Sequence, residues 1–454
     1  MSAFECPFSF HARTQPDAIA CTYGTEKWTY RTCHAWINGL VVTLRKNKVT
    51  PGTCIAVYPD KTALTPLILF ALFRLNAIAF PLNAYLPPAA MKNQLATARA
   101  FLFLHPNSAP QSDLHKKSLS FGDLKRQTSP ISHSVQTFLQ KQALATYLTT
   151  SGTTTTPKIA ALSLGNHYYS AIGSNGTLPS LQDRGHWLLS LPLYHIAGIA
   201  ILFRTFLSGA TLVLPTSASF NPTEIASQPI SHLSLVPTQL YRLFDLPLAE
   251  TKALMSHLKC VLLGGSAIVE ELYSRGIAHG FPLYPTYGMT EMSSQITTAT
   301  DRAAAFFSLG HPLPYRSCKI AVDGEIKVTG KTLFQGYLTR DHALDRPLDP
   351  QGYFSTRDLG RYSPQVGLRF LGRKDRLFIS GGENIHPEEI EHALMGIHGI
   401  LDACVTPIKD EEFGMRPLAH IHTNQPMTPQ RIKEILATKL PKYKIPIDFL
   451  PLKK

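Results

Sequence analysis

At 454 residues the chain exceeds what one ordinary hydrophobic core accommodates, so two or three domains are expected. Hydrophobic residues at 44% and charged residues at 17% describe a globular chain with ample core, and no apolar run is long enough to span a bilayer. The 44 Lys and Arg against 31 Asp and Glu leave a net charge of +13, a field suited to anionic ligands and able to favour anionic membrane surfaces. Nucleic acid is disfavoured as a partner, because zinc-finger spacing, RNA-binding signatures and basic–aromatic interleaving are absent.

From the N-terminus, Met1 to Phe10 has neither a basic start nor a small-residue cleavage site, so it does not read as a signal peptide. Seven scattered cysteines without a CxxC pair point to reduced thiols in a cytoplasmic protein, not to a disulfide frame or zinc site. Cys54–Tyr58 reads as a buried strand, followed by a helix over Thr65–Leu75 that contains the longest apolar run, Pro66 to Phe73. Further apolar runs at Leu188–Leu191, Thr211–Leu214, Leu233–Val236 and Lys259–Leu263 alternate with helical patterns. Such alternation predicts layered α/β architecture with buried, largely parallel strands.

Past Gly324 the texture shifts to short strands and turns, and at Arg373–Arg376 it shifts again. The run from His386 then reads as a helix start, with Pro387 near the first position and Glu388 and Glu389 in the first turn. Ile390, Ala393, Leu394 and Ile397 share one face of it. A domain boundary is therefore expected at residues 373–376, between a large part (1–372) and a small one (377–454).

The segment Thr149 to Lys158 combines Thr150, Ser151, Gly152, Thr153, Thr154, Thr155 and Thr156 with a single lysine held behind Pro157. Short hydroxyl side chains, a glycine and exposed backbone N–H groups suit a polyphosphate. The spacing is not that of the usual NTPase P-loop. A Thr-rich surface linker is the alternative.

Five further segments follow in order: Leu191 to His195, Leu263 to Ser266, Tyr287 to Glu291, Arg357 to Gly360, and Gly372 to Asp375 with Ser380 to Ile385. With the Thr-rich loop they resemble, over nearly the whole chain, the adenylate-forming superfamily of acyl-CoA synthetases, luciferases and nonribosomal adenylation domains. Within it the chain is most similar to the o-succinylbenzoate–CoA ligase group of menaquinone synthesis. The segments Ser190–Gly198, Leu235–Leu243, Val261–Gly265 and Glu412–Pro417, together with a compact N-terminal part, carry that closer likeness.

The resemblance implies an α/β fold: a large domain of layered α/β subdomains with a small β-barrel-like part, then a small mobile α+β domain. It implies an enzyme that activates a carboxylic acid with ATP and Mg²⁺ and passes the acyl group to coenzyme A. By the same resemblance, residues 150–156 and Lys158 would hold the β- and γ-phosphates. Gly264, Gly265 and Ser266 would admit the adenine, Tyr287 beside Gly288 would stack on it, and Thr290 would bond the α-phosphate. Glu291 would hold Mg²⁺ through oxygen, Asp358 would take the ribose hydroxyls, and Arg373 would add a ribose or phosphate contact. Asp375 matches the hinge residue. Ser380, Gly381 and Gly382 would line the pantetheine tunnel, and His195 would gate its end, with a core histidine bonded to a backbone carbonyl as the alternative.

Arg204 interrupts an otherwise apolar helix. A substrate's second carboxylate would be a bidentate partner for it, while an arginine whose head reaches water is the other reading. Ser293 and Ser294 could add hydroxyls to the same pocket. Two positions and one segment depart from the family pattern: Thr155 and Arg357 stand where glycines are usual, and Tyr443 to Lys454 lacks the glycine–lysine segment expected at the end, with Lys453 or Lys454 either as substitutes or as a solvated, frayed end. Three readings follow: a ligase for o-succinylbenzoate, a ligase for another aryl or medium-chain acid, or a catalytically weak nucleotide- or acyl-AMP-binding protein. A homo-oligomer is expected.

Overall fold

The computed structural model describes residues 2–107, 114–133, 135, 137–150, 157–181, 185–217, 219–301 and 307–452. Two large sheets dominate it. The first has eight strands in the order Leu344–Asp345, Gly336–Leu338, Lys158–Ser163, Leu144–Thr150, Ile78–Pro81, Cys54–Val57, Leu102–His105 and Ser118–Ser120. Its last five strands run parallel, and Lys158–Ser163 pairs antiparallel on both sides. The second has nine, and its inner strands Leu283–Met289, Cys260–Leu263, His232–Leu235, His186–Leu188, Thr211–Leu214 and Ile19–Tyr23 are parallel neighbours. The expected alternation thus produces the expected layers. One strand begins and ends earlier than its apolar run suggests: Leu188–Leu191 is observed as His186–Leu188.

Helices join the layers. Leu64–Arg74 is buried from Thr65 onward, because it follows a strand of the first sheet and packs on a helix of the second. The rings of Phe70 and Phe203 lie 5.6 Å apart, and those of Phe70 and Phe206 5.5 Å. Arg74, which ends the apolar run, is buried with its donors on Cys6 Sγ (3.3 Å), Asn38 Oδ1 (2.6 Å), Ser9 Oγ (2.7 Å) and His34 Nδ1 (3.0 Å).

The turn-rich stretch after residue 312 forms a four-stranded antiparallel sheet of Arg316–Ile320, Glu325–Gly330, Phe354–Ser363 and Gly367–Arg373. Beyond it, a separate cluster of buried residues runs from Phe378 to Phe449. It packs Pro387–Met395 and Pro429–Ala437 on a sheet of Ile400–Asp410, Gly414–Thr423 and Phe449–Pro451. Pro387 occupies the first helical position, with Glu388 and Glu389 in the first turn. Phe449–Pro451 is the final described strand, parallel to Gly414–Thr423; Lys453 and Lys454 lie outside the described residues.

Candidate active site

In open parallel sheets, ligands collect beyond the carboxyl ends of strands where the strand order reverses. His186–Leu188 lies between Thr211–Leu214 and His232–Leu235, so the second sheet reverses there. Its carboxyl end leads to Leu191–His195, and two strands away Cys260–Leu263 leads to Gly264, Gly265 and Ser266. Gly265 has φ +83°, and a Cβ on Gly264 would lie 2.7 Å from Thr286 Cγ2, so both positions favour glycine. A Cβ on Gly288 would strike the carbonyl of Ser294.

Gly265 and Gly288 line a cavity of about 640 Å³ whose walls include Ser266, Tyr287, Asp358 and Phe370. Tyr287 lies 6.3 Å from Phe370 with the rings 28° apart. Its phenol donates to Asp358 Oδ2 at 2.6 Å, and Arg373 Nη1 donates to Asp358 Oδ1 at 2.8 Å. Burial, then the Asp358 charge, pushes the Tyr287 phenol well up. Burial also raises the Asp358 carboxyl, against the opposing pull of Tyr287 and Arg373. Each Asp358 oxygen keeps further acceptor capacity for a ligand hydroxyl.

Directly past the carboxyl end of Leu283–Met289, Thr290 begins a single 3₁₀ turn and is half-buried. Glu291 is buried there, and Tyr337 donates to its Oε1 at 2.6 Å. Burial raises the Glu291 carboxyl despite that bond. Lys158 Nζ stands 4.7 Å from the centre of the Tyr337 ring. Lysine, phenol and carboxylate are therefore brought together, and Thr150 Oγ1 is 3.5 Å from the Lys158 carbonyl. Ser151, Gly152, Thr153, Thr154, Thr155 and Thr156 lie outside the described residues. No group of three or more potential ligands for a resident metal occurs among the described residues. Glu291 suits Mg²⁺ all the same, since that ion is commonly held by one or two carboxylates plus substrate phosphates and water.

Arg204 is buried on the helix Ile196–Leu207, outside the lining of that cavity. It is 1% exposed, so the reading in which its head reaches water is excluded. Nη2 donates to Ser294 Oγ at 3.1 Å, the guanidinium lies 5.5 Å from the Trp187 ring, and Nε has no partner among the described residues. No carboxylate within ion-pair distance of it occurs among the described residues, and burial pushes it down to about 10. Ser293 and Ser294 directly follow the Glu291 turn with φ +53° and +95°. His195 caps the N-terminus of the Arg204 helix, Ile196–Leu207, exposed and 4.7 Å from Tyr194. Partial desolvation lowers its imidazole, and its exposure rules out the buried core histidine.

Asp375 forks onto Arg373, with Nε to Oδ1 at 3.1 Å and Nη2 to Oδ2 at 3.0 Å. Arg373 thus ties the cavity's Asp358 to the expected hinge residue. Gly381 (φ +56°) and Gly382 (φ +86°) form the two-residue turn between Phe378–Ser380 and Glu383–Ile385, as primed hairpin turns require. They do not line the cavity; on that side its wall is His392, Ala393, Gly396 and Lys439. Tyr337 and Phe370 carry no sequence signal of their own and were not anticipated as site residues.

Two α/β layers, a glycine-lined cavity at the strand ends, and a carboxylate–arginine pair beside a buried tyrosine define a nucleotide-using enzyme class. Residues 8–338 match the AMP-binding enzyme family, and the chain belongs to it. A 2-succinylbenzoate–CoA ligase of Bacillus pumilus (strain SAFR-032) is 30% identical over 96% of this chain and 92% of its own length. The solved o-succinylbenzoate CoA synthetase of Bacillus subtilis in complex with its acyl-adenylate intermediate is 28% identical with a TM-score of 0.90, covering 100% of this chain and 96% of that one. A double mutant of the same synthetase bound to a coenzyme A product analogue superposes with a TM-score of 0.74 at 28% identity, covering 100% and 95%.

Proposed function

We propose that the chain joins o-succinylbenzoate to coenzyme A in two steps. A carboxylate oxygen of the acid attacks the α-phosphorus of ATP; the P–O bond to pyrophosphate breaks and acyl-AMP forms. The coenzyme A thiol, losing its proton, then attacks the acyl carbonyl, and AMP leaves with the C–O bond electrons. The chain's part is positioning and charge stabilisation. Tyr287 and Phe370 would flank the adenine, Asp358 with Arg373 would hold the ribose, and Lys158 with Thr150 and residues 151–156 would hold the outer phosphates. Thr290 would bond the α-phosphate. Glu291 would hold Mg²⁺, which neutralises phosphate charge when bound.

The observation that carries the choice of acid is Arg204. A buried guanidinium without a counter-charge is costly, and a carboxylate in that pocket would complete it bidentately. A monocarboxylic acid would leave it stranded. The higher superposition on the acyl-adenylate complex supports an adenylation-like placement of the small domain. A swing about residues 373–376, with Asp375 as hinge, would then bring Gly381 and Gly382 toward the thiol path that His195 borders. The reading also includes a cytoplasmic enzyme, supported by seven free cysteines, that self-associates and touches anionic membranes peripherally; light scattering and vesicle sedimentation test those two points.

The central test supplies ATP, Mg²⁺ and o-succinylbenzoate to the purified chain, without and then with coenzyme A, and follows pyrophosphate and thioester. Both products are expected. Arg204→Met should lose activity selectively with this diacid; equal activity of the variant and the parent would sink the assignment.

A further inference from the structure

The helix Leu164–Asn175 carries His167, Ser170 and Ser174 at intervals of three and four residues, which places them on one face. All three are buried. All three bond to one short segment: His167 Nδ1 lies 3.1 Å from Ser293 Oγ, Ser170 Oγ donates to the Ser293 carbonyl, and Ser174 Oγ donates to Gln295 Oε1 at 2.7 Å. That segment contains two consecutive non-glycine residues in the left-handed region, Ser293 and Ser294. Such backbone persists only where its surroundings over-determine it. Its consequence is local: it turns Ser294 so that Oγ meets Arg204 Nη2 at 3.1 Å.

His167 touches the arrangement twice. Its ring stacks on Phe203, the residue before Arg204, at 4.9 Å and 17°. Its Nε2 is anchored 2.9 Å from Thr146 Oγ1. Burial pushes its imidazole down to about 3, so it serves as a neutral hydrogen-bonding ring and not as a proton carrier. We infer that His167 is a positioning residue for recognition of the substrate's second carboxylate, holding Ser293 so that the left-handed pair presents Ser294 to Arg204. This rests on the o-succinylbenzoate reading given above.

The two ring nitrogens can be separated by substitution. Asn overlays the Nδ1 position and keeps the Ser293 contact; Gln overlays Nε2 and keeps the Thr146 contact. The experiment compares kcat and KM for o-succinylbenzoate and for 4-oxo-4-phenylbutanoate, the same acid without its ring carboxylate, in the parent and in His167→Asn, His167→Gln and Arg204→Met. His167→Gln should lower kcat/KM for the diacid roughly tenfold, mainly through KM, the size expected for one lost hydrogen bond to a charged partner's holder. The monoacid should change less than twofold, and His167→Asn should retain most of the parent's preference.

Ser293→Ala, a small change at a buried site, should reproduce the loss and serves if the His167 variants fold poorly. Equal effects of Asn and Gln, or parallel losses on both acids, would overturn the proposal in favour of a purely packing role. A parental preference that Arg204→Met abolishes and all His167 and Ser293 variants preserve would overturn it while leaving the substrate reading intact. Absence of any parental preference for the diacid would remove the substrate reading, and the proposal with it.

Discussion

Glu291 and Arg204 are buried groups of opposite sign, and Arg204 Nε has no partner among the described residues. Glu291 depends on the Tyr337 phenol, whose bond lowers a carboxyl that burial raises. Tyr337→Phe removes that bond, worth about 1.5–3 kcal/mol when an ionised group is involved. The Glu291 carboxyl should rise further, so the acid limb of the kcat/KM–pH profile should move to higher pH and more Mg²⁺ should be needed. An acid limb that stays in place would remove Tyr337 from the site. Arg357 poses a different question, because it occupies the left-handed region at φ +61° where the family usually has glycine. Its N–H donates to Glu325 Oε1 at 2.9 Å and its carbonyl accepts from the Lys374 N–H at 2.8 Å, so the backbone is pinned on both sides. Arg357→Gly relieves the strain but loses chain entropy on folding, and unfolding by urea should shift little. Arg357→Val should destabilise by about 1–3 kcal/mol; an unperturbed Val variant would show that the φ is not maintained in solution.

At the scale of elements, what was legible in the sequence is local: the glycine pair Gly264–Gly265 directly after its strand and the Pro-Glu-Glu start of Pro387–Met395. Tyr337 was not, since Gly336–Leu338 reaches Lys158 only by pairing with Lys158–Ser163, through Tyr337 opposite Ala160. Phe370 and His167 are likewise placed by partners far away in sequence. The composition change at residues 373–376 coincides with a change of ion-pair partners. Lys374 pairs with Asp323 (2.6 Å) and Glu325 (3.1 Å) on the four-stranded sheet, whereas Arg376 pairs with Glu388 (2.9 Å) and Glu391 (2.6 Å) beyond it. The change of partner falls at Asp375. Glu388 is buried, and burial raises its carboxyl, so Arg376→Ala should weaken the element it anchors more than an exposed pair would. Hydrogen exchange should accelerate across residues 378–449 while the two large sheets keep their protection. Uniform acceleration would mean that the small cluster is not a separate cooperative unit.

At the scale of the whole molecule, buried histidines tie stability to pH, and three of them carry the largest shifts. Burial pushes His167 down to about 3, and His34 and His232 down to about 4, with Arg74 adding to the effect at His34 and Lys259 at His232. Each folded value lies below the unfolded one of about 6.5. Above that value neither state binds the proton, so these groups make no difference. As pH falls below it, the unfolded chain takes up protons that the folded chain refuses, and stability drops until the folded values are reached. Glu291 and Asp358 act in the opposite direction: their raised carboxyls favour the folded state at low pH and lose that contribution as pH rises through the folded values. The histidines sit in the large sheets and helices, where His34 and His167 accompany the Arg74 and Ser293 networks, so their protonation should break those networks together. The urea midpoint should therefore fall steadily between about pH 6.5 and pH 4, with a slope that weakens in His167→Asn. A midpoint independent of pH over that interval would mean that these imidazoles reach protons in the native state, and that the interior is wetter than the packed arrangement of Phe203, Trp187 and Arg204 allows.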